Sequence, residues 1–344
     1  MANPTSPAGA CKPSPQAILM RMGTDYWVSQ MISVAARLGI ADLVKDGAKT
    51  SADLARLTGT HPRSLHRLLR GLASVGIFAE DSQTRFVLTP LADYLRSDVP
   101  GSMRSAAIMT GEQHFRAWGD LMHCIRTGRT GFEQVYGKPI FDWLSEHPEE
   151  ARTFDEAMVG VHGAETGAML DAYDFSSFGT LIDIGGGNAS VLTAVLQRYP
   201  ELRGILFDLP HVVERAKGNL RAAGLEQRCT TVGGSFFESV PGGADAYLMR
   251  HIIHDWDDDQ SLTILRNCRK AMTPKARFLL VESVIPPGND PSFAKLLDLN
   301  MLVVPGGLER TETEYRELFQ AAGFRLARIV PTRMEISIIE GEPV

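Results

Sequence analysis

Residues 250–259, Arg-His-Ile-Ile-His-Asp-Trp-Asp-Asp-Asp, place two histidines and an acidic run directly after an apolar segment that ends at Met249. A histidine has an ordinary pKa of about 6.5, so it is well suited to accept a proton near neutral pH. Either ring has a structural alternative, which is to satisfy hydrogen bonds in the core. Their position after a predicted strand favours general-base chemistry for one of them.

The acidic run Asp257–Asp259 precedes a predicted helix at 262–272, where carboxylates cap free N–H groups and favour the helix dipole. This position favours capping over metal binding. The four cysteines are far apart and form no C-x-x-C pair, so the sequence predicts no metal site. Two further acids, Glu282 at the end of the predicted strand near residue 281 and Glu309 in the segment 305–311, lie where they could reach the candidate base. A solvated role is the alternative for both, and a capping box at 311–314 follows Glu309.

A second chemical signal is the glycine-rich stretch 183–190, Asp-Ile-Gly-Gly-Gly-Asn-Ala-Ser, at the end of another predicted strand. Ligands of open α/β sheets bind at this edge. The next predicted strand ends in Asp208, whose carboxylate can accept hydrogen bonds from ribose hydroxyls. Together they indicate a nucleoside ligand. NAD fits less well because Ser190 replaces a glycine of its motif, and ATP is disfavoured because no G-K-[ST] follows.

These residues need a scaffold of alternating strands and helices. Strands are predicted at 180–184, 204–208, 244–249 and 277–281, with helical segments between them. Such alternation predicts a parallel sheet covered by helices on both faces. The segments 324–330 and 334–339 predict an edge hairpin, and Thr311–Glu314 predicts the start of a helix at 315–322.

The first half of the chain, from about Ile18 to Leu144, has mostly helical apolar spacing. A capped helix starting at Thr50, a second helix from Pro62 and two short strands at 77–78 and 86–88 predict a winged helix. DNA binding would use Arg63, Arg67 and Arg70. Residues 1–100 carry a net charge of only +3, which favours a dimerisation scaffold instead.

The 344-residue length predicts about two domains. Hydrophobic residues make up 44% and charged residues 22%, as in globular proteins, and the net charge of −6 disfavours a polyanionic partner. Apolar stretches are too short to span a membrane. Sparse cysteines predict a reducing, cytoplasmic setting. Residues 1–17 are rich in Ala, Pro and Ser and lack a signal-peptide pattern, so they predict a disordered arm.

The chain resembles the S-adenosylmethionine-dependent O-methyltransferases of the plant caffeic acid and isoflavone type, including a bacterial antibiotic-tailoring branch. The resemblance covers nearly the whole chain. It rests on the winged-helix half and on the motifs 181–187, 207–210, 254–256, 298–302 and 306–311. It implies an α/β fold with a Rossmann-like class I methyltransferase domain behind a helical winged-helix dimerisation domain, and hence a homodimer whose N-terminal half also closes the partner's acceptor pocket.

Site residues follow from the resemblance. It implies His254 as the general base and Glu282 and Glu309 as the acids that orient it. S-adenosyl-L-methionine would be converted to S-adenosyl-L-homocysteine without a metal. The implied cofactor contacts are Asp183, Gly185, Gly187, Asp208, Leu209, Ser235, Phe236, Arg250 and Trp256. The implied acceptor contacts are Phe154, Met158, Asp255, Asn300 and Met301.

Two positions depart from the plant pattern. Ser235 stands where the plant enzymes carry an aspartate toward the adenine, and Arg250 replaces a lysine that contacts the cofactor. The segment between Asn300 and Gly306 is one residue shorter, so acceptor specificity does not transfer. The expected domains are an arm at 1–17, a winged-helix dimerisation domain at 18–110, a helical linker and acceptor-pocket region at 111–172, and a catalytic domain at 173–344.

The expected reaction is methyl transfer to a hydroxyl of a small aromatic acceptor, phenolic or polyketide-like, by direct displacement. Two alternatives stay open. One is N-methylation of an aromatic amine or phenazine, because a neutral amine needs less help from a base. The other is a non-catalytic winged-helix regulator that senses S-adenosylmethionine; it requires DNA binding at low salt. Neither nucleic acid nor membrane is an expected partner.

Overall fold

The computed structural model describes residues 13–344, which form two compact units. The N-terminal unit contains residues up to Gln113 together with Glu149–Val161. The sheet unit contains His114–Pro148 and His162–Val344. The helical region expected at 111–172 therefore divides between the units, while the expected domain boundaries themselves stay predictions.

The N-terminal unit is mostly helical. Its elements are α1 (Pro15–Thr24), α2 (Tyr26–Arg37), α3 (Ile40–Val44), β1 (Lys49–Thr50), α4 (Ser51–Thr58), α5 (Pro62–Ser74), β2 (Phe78–Glu80), β3 (Arg85–Leu88), α6 (Pro90–Asp93) and α7 (Arg104–Met109). The strands form a small antiparallel sheet in the order β1-β3-β2. Thr50 caps α4 by accepting the N–H of Asp53, and Gly59 ends α4 in the left-handed region, as the sequence predicts.

Helix α1 begins at Pro15, within the last three residues of the expected arm at 1–17, and continues through the region where helical spacing was expected. Residues 1–12 of that arm lie outside the described residues. From Pro15 the chain is helical because the Ser14 side chain accepts the N–H of Ala17 and a proline fits the first helical turn. No residue of α1 is buried, and its Leu19, Met20 and Met22 are at least 65% exposed.

The sheet unit begins with short helices. A π-helical turn at Thr110–His114 leads into α8 (Phe115–Trp118), α9 (Leu121–Thr127), α10 (Gly131–Tyr136) and α11 (Ile140–Glu146). The long helix α12 (Pro148–Ala172) then passes through both units. The remaining helices are α13 (Ser190–Arg198), α14 (Pro210–Ala222), α15 (Asp258–Ala271), α16 (Phe293–Val303) and α17 (Glu312–Ala322), with a 3₁₀ turn at Ile253–Asp255.

Seven strands form the central sheet in the order β11-β12-β8-β7-β4-β5-β6. They are β4 (Thr180–Ile184), β5 (Arg203–Asp208), β6 (Cys229–Gly233), β7 (Ala246–Arg250), β8 (Arg277–Glu282), β11 (Phe324–Pro331) and β12 (Ser337–Pro343). Strands β4 to β8 are parallel, and β12 is antiparallel to both β8 and β11. Buried apolar side chains cover both faces, which gives the doubly covered sheet that the alternation predicts.

A separate two-stranded bridge pairs β9 (Val284–Ile285) with β10 (Arg310–Thr311) in parallel. The segment 286–309, which contains α16, therefore begins and ends beside this bridge. The capping box at the start of α17 is present, with Thr311 accepting from the Glu314 N–H and Glu314 accepting from the Thr311 N–H. None of the helices within residues 13–344 combines the length and apolar composition needed to span a bilayer.

Candidate active site

The predicted site residues of the sheet unit follow the carboxyl ends of its parallel strands. The glycine-rich loop follows β4, Leu209 follows β5, and the segment from His251 to Trp256 follows β7. Because the carboxyl ends of parallel strands meet at one edge, these segments are brought together although they are far apart in sequence.

The glycine-rich loop requires a glycine at Gly185, which has a φ of +69°. A side chain there would also meet Ile252, since a Cβ would lie 2.5 Å from its Cδ1. A Cβ at Gly187 would instead meet nothing within 4 Å. The loop is thus supported from one side and open at Gly187, which leaves room for a ligand against the backbone.

Asp208 lies beside this loop at the end of β5. One carboxylate oxygen accepts the N–H of Gly187 at 2.9 Å and the other accepts that of Leu209 at 2.7 Å. Burial raises the pKa of Asp208, although these two hydrogen bonds oppose the shift. Each oxygen keeps a further lone pair, so the carboxylate can still accept hydrogen bonds from a ribose.

Asp183, within β4, is the second acid near the loop. It is 2% exposed, and its Oδ2 has no hydrogen-bond partner among the described residues. Burial raises its pKa to about 7, while the charge of Arg250 opposes the shift. A buried acceptor of this kind is costly without a partner, and a bound cation or donor group would satisfy it.

An aromatic group lies beyond β6 and β7. The ring of Phe237 is 4.8 Å from that of Trp256 in an edge-to-face arrangement, and Phe236 is 6.2 Å from the same indole. Asn267 on α15 fixes this segment by donating to the carbonyls of Phe236 and Phe237. The Oγ atom of Ser235 accepts the N–H of Phe237 at 3.3 Å, so this serine organises its own turn.

His254 is held by Glu309. The Nδ1 atom of the imidazole lies 2.7 Å from Oε1 of Glu309, and both side chains are buried. Glu309 is positioned in turn by Asp298, which accepts its backbone N–H at 3.0 Å. The loop before Glu309 lies directly against His254, because the N–H of Leu308 donates to the His254 carbonyl at 2.9 Å. A Cβ at Gly307 would lie only 1.9 Å from that oxygen.

Glu282 supports the same histidine from β8. Its Oε1 accepts the backbone N–H groups of Ile252 and Ile253 at 3.1 and 3.0 Å. Its Oε2 lies 3.4 Å from Nδ1 of His254 without a hydrogen bond. Glu282 therefore fixes the backbone before His254 and places a negative charge beside its ring.

The electrostatics of His254 follow from these neighbours. Burial disfavours the imidazolium, but the charges of Glu282 and Asp255 and the hydrogen bond to Glu309 outweigh it and raise the pKa of His254 to about 10. Asp255 lies 3.7 Å from Nε2, and burial raises its own pKa to about 6. The Nδ1 side is thus occupied by Glu309, and Nε2 is the nitrogen left for proton exchange.

Arg250 turns toward α12. Its guanidinium donates to the hydroxyl of Thr166 at 2.8 Å and to the carbonyl of His162 at 3.3 Å. Burial lowers its pKa, while the charges of Glu165 and Asp183 oppose the shift. A role of Arg250 in binding a cofactor stays a prediction, and the observed role is to tie β7 to this helix.

The predicted acceptor residues fall in both units. In the sheet unit, the side-chain oxygen of Asn300 accepts from the indole N–H of Trp118 at 3.0 Å, and Met301 is buried. In the N-terminal unit, Phe154 and Met158 pack against Ala106, Met109 and Ala157. The acceptor role of these four residues and of Asp255, which lies 3.7 Å from Nε2 of His254, stays a prediction.

Two features of the site are absent from the sequence analysis. Arg310 is 1% exposed and donates to the carbonyls of Ile253 and Trp256 and to Asp258, so it fixes the loop around His254. An arginine in a polar loop ordinarily indicates a solvated side chain. The second feature is a group of titratable residues around His251 that includes His162 and Glu165 of α12. No short-range sequence pattern connects these two residues with His251.

Comparison with known proteins identifies both parts of the chain. Residues 118–325 match the O-methyltransferase domain family, and residues 20–98 match the O-methyltransferase dimerisation domain family. The chain is 49% identical over 328 residues to the phenazine O-methyltransferase of Lysobacter antibioticus, covering 95% of this chain and 96% of that one.

Two further proteins bear on the reaction. An 8-amino-8-demethylriboflavin N,N-dimethyltransferase of Streptomyces davaonensis is 36% identical, with 94% of each chain covered. The crystal structure of an O-methyltransferase from neocarzinostatin biosynthesis, in complex with S-adenosylmethionine and 2-hydroxy-5-methyl naphthoic acid, is 31% identical. It aligns with a TM-score of 0.83 over 97% of this chain and 100% of that one.

Proposed function

Because the chain belongs to the S-adenosylmethionine-dependent O-methyltransferase family, we propose that it transfers the methyl group of S-adenosylmethionine to the hydroxyl of a small, flat aromatic acceptor. The observation that carries the proposal is the geometry of His254, whose Nδ1 is bonded to Glu309 while Nε2 stays available. This arrangement is suited to removing a proton from an acceptor hydroxyl.

The residues near the glycine-rich loop suit the cofactor. Asp208 would accept from the ribose hydroxyls, and the open face at Gly187 would lie against the ligand. The unpartnered Oδ2 of buried Asp183 would face the methionine ammonium or water bound to it. Trp256 and Phe236 would border the adenine. The cofactor supplies an electrophilic methyl on a positively charged sulfonium.

The acid–base chemistry is done by the chain itself. A phenol has a pKa of about 10, so few molecules are ionised at neutral pH and a positioned base raises the reactive fraction. Nε2 of His254 takes this proton, and Glu309 holds the ring in place and stabilises the imidazolium. A sulfonium nearby favours the neutral form of His254, since like charges repel. Holding the acceptor oxygen in line supplies ~7–11 kcal/mol of the remaining acceleration.

The candidate acceptors are taken from the names of relatives. A phenazine hydroxyl is the first candidate, because the Lysobacter antibioticus relative is a phenazine O-methyltransferase at 49% identity. N-methylation is the alternative, since the riboflavin-analogue relative is an N,N-dimethyltransferase. The match to the dimerisation family supports a homodimer.

The test is methyl transfer from isotope-labelled S-adenosylmethionine to matched acceptors, with products identified by mass spectrometry. A hydroxyphenazine, the corresponding aminophenazine and the unsubstituted ring distinguish the two reactions. Transfer to the hydroxyl alone supports the proposal, and transfer to the amine alone assigns the chain to the N-methyl branch. If neither acceptor is methylated and the protein does not bind S-adenosylmethionine, the proposed function is wrong.

A further inference from the structure

His251 has an unusual backbone conformation next to the proposed base. Its φ is +53°, in the left-handed region that residues other than glycine rarely occupy. Such conformations persist where the surroundings fix them, and they cluster at functional sites. At His251 the backbone N–H donates to the Val281 carbonyl at 3.2 Å, and the side chain makes the further contacts that hold it.

The ring of His251 lies between two carboxylates. Its Nε2 is 2.8 Å from Oε2 of Glu165 on α12, and its Nδ1 is 3.6 Å from Oε2 of Glu282. Nδ1 of His251 and Oε2 of Glu282 have no hydrogen-bond partner among the described residues. The side chain of His251 is 9% exposed and that of Glu165 is 12% exposed, so solvent screens these charges weakly.

Glu282 is shared by two histidines. The same oxygen lies 3.4 Å from Nδ1 of His254 and 3.6 Å from Nδ1 of His251, and the two rings are 5.0 Å apart. A proton on His251 therefore lies close enough to affect both the charge of Glu282 and the protonation of His254.

Glu165 favours the protonated form of His251. Burial disfavours that form, but the hydrogen bond to Glu165 and the nearby Glu282 outweigh it and raise the pKa of His251. Glu165 also contacts His162, with 2.8 Å between its Oε2 and Nδ1 of that ring. Burial lowers the pKa of His162 to about 4, so this second ring is neutral near pH 7 and adds no competing charge.

The charged and titratable groups around His251 come from several elements. They are His162 and Glu165 on α12, Arg250 at the end of β7, His254 and Asp255 on its own segment, Glu282 at the end of β8, and Glu309. Among the groups near His254, three carboxylates stabilise its imidazolium. A positive charge on His251, which is hydrogen-bonded to Glu165 on α12, opposes the effect of these carboxylates on His254.

We propose that Glu165 and His251 form a positioning pair that keeps a positive charge beside Glu282 and thereby holds more of His254 in the neutral form that can take a proton near neutral pH. This inference rests on the proposed function. The pair acts through His254 and Glu282 and does not itself touch the reacting atoms. The sign follows from repulsion: a cation at His251 disfavours a second cation at His254, so it favours the neutral ring that takes the proton.

The test compares the pH dependence of kcat in three variants. His251→Asn removes the charge with the residue that tolerates positive φ best among side chains. We expect the acidic limb of its kcat–pH profile to lie about one pH unit higher than in the natural chain. Turnover at pH 7 then falls about tenfold and recovers at higher pH. Glu165→Gln should move the limb in the same direction by less, because it lowers the pKa of His251 without removing the ring, and because the lost negative charge of Glu165 itself acts in the opposite direction.

His251→Lys is the matched control, since it keeps a positive charge without the imidazole. Its limb should stay at or below that of the natural chain. A loss of turnover that is the same at every pH in His251→Asn would assign a structural role and overturn the proposal. Because two histidines and a glutamate can also bind a divalent cation, the assays are run both without and with EDTA. A limb that moves when EDTA is added to the natural chain would assign the group to a metal ion and overturn it too.

A second measurement separates this inference from the proposed function. Titration of ¹⁵N-labelled histidine side chains by NMR reports the pKa of His254 directly, without any acceptor. We expect this pKa to be higher in His251→Asn than in the natural chain. An unchanged value contradicts the inference even if methyl transfer is observed, and a raised value supports it even if the acceptor is still unknown.

Discussion

Nδ1 of His254 lies 2.7 Å from Oε1 of Glu309, although 55 positions separate the two residues. The contact depends on Gly307, whose missing side chain lets the loop lie against the His254 carbonyl, and on Asp298, which holds the Glu309 N–H. The orientation of the proposed base is thus set by a loop from another part of the sheet unit.

Replacing His254 by Ala should lower kcat by about 10² to 10⁴, the usual contribution of a positioned base. S-adenosylhomocysteine binding should change little, because the hydrogen bonds of His254 join it to Glu282 and Glu309 rather than to the glycine-rich loop. Steady-state kinetics and isothermal titration measure the two effects. His123→Ala, which removes a ring on α9, is the control. Unchanged turnover in His254→Ala would remove the histidine from the mechanism.

Glu309→Gln should reduce kcat while leaving KM nearly unchanged. The amide can still contact the ring but no longer carries the charge that stabilises the imidazolium, and hydrogen bonds to charged groups are about twice as strong. We expect a loss of about tenfold to a hundredfold, measured at saturating cofactor. An effect on KM alone would show that Glu309 acts in acceptor binding.

Gly307→Ala should strongly reduce both turnover and stability, because its Cβ would lie 1.9 Å from the His254 carbonyl. Gly218 is the matched control: it lies within α14, and a Cβ there meets nothing within 4 Å. Gly218→Ala should stabilise the fold by up to about 1 kcal/mol through helix propensity. Chemical denaturation of both variants tests the contrast, and equal midpoints would contradict the close approach.

Arg310→Met should destabilise the protein by about 2–4 kcal/mol, since it leaves the carbonyls of Ile253 and Trp256 without this donor. Arg316→Met removes an exposed arginine that pairs with Glu312 and should cost less than about 1 kcal/mol. Urea unfolding measures both. If the two variants are equally stable, Arg310 does not fix the loop.

Stability should fall as the pH drops from about 6.5 toward 4. Burial lowers the pKa of His114 to about 4, below the ordinary 6.5 of an unfolded chain. The unfolded state therefore binds the proton first, and the contribution present above pH 6.5 is lost at about 1.4 kcal/mol per pH unit. His114→Leu should flatten this slope in denaturation curves at several pH values. An unaltered slope would show that His114 is protonated in the folded state.

Local signals predicted much of the fold. The capping box at Thr311, the cap at Thr50 and the apolar runs that become β4 and β5 each depend on neighbours within a few residues, and the structure contains all of them. Strand β6 was not predicted because Cys229–Gly233 is short and half polar. Match to the family and the fold neighbours confirm the methyltransferase architecture.

The site divides in the same way. The positions of Glu282 and Glu309 in the chain indicated that these acids could reach the histidine, and the family resemblance assigned the roles of His254 and of the two acids. The burial of Arg310 and the contact of Glu165 with His251 depend on how α12 and the loop after α16 pack on the sheet. These contacts join residues that are 49 or more positions apart in the sequence. Such contacts leave no local sequence pattern, so they could not be predicted from the sequence.

The bridge between β9 and β10 affects which parts of the chain can change in sequence. Val284 and Ile285 pair with Arg310 and Thr311, just beyond the two acids at 282 and 309, so the two ends of the intervening segment are joined directly to each other. The middle carries α16 with Asn300 and Met301. Most of this middle can therefore change in sequence while the bridge holds Glu282 and Glu309 at a constant separation, but Asp298 on α16 must be kept because it accepts the Glu309 N–H.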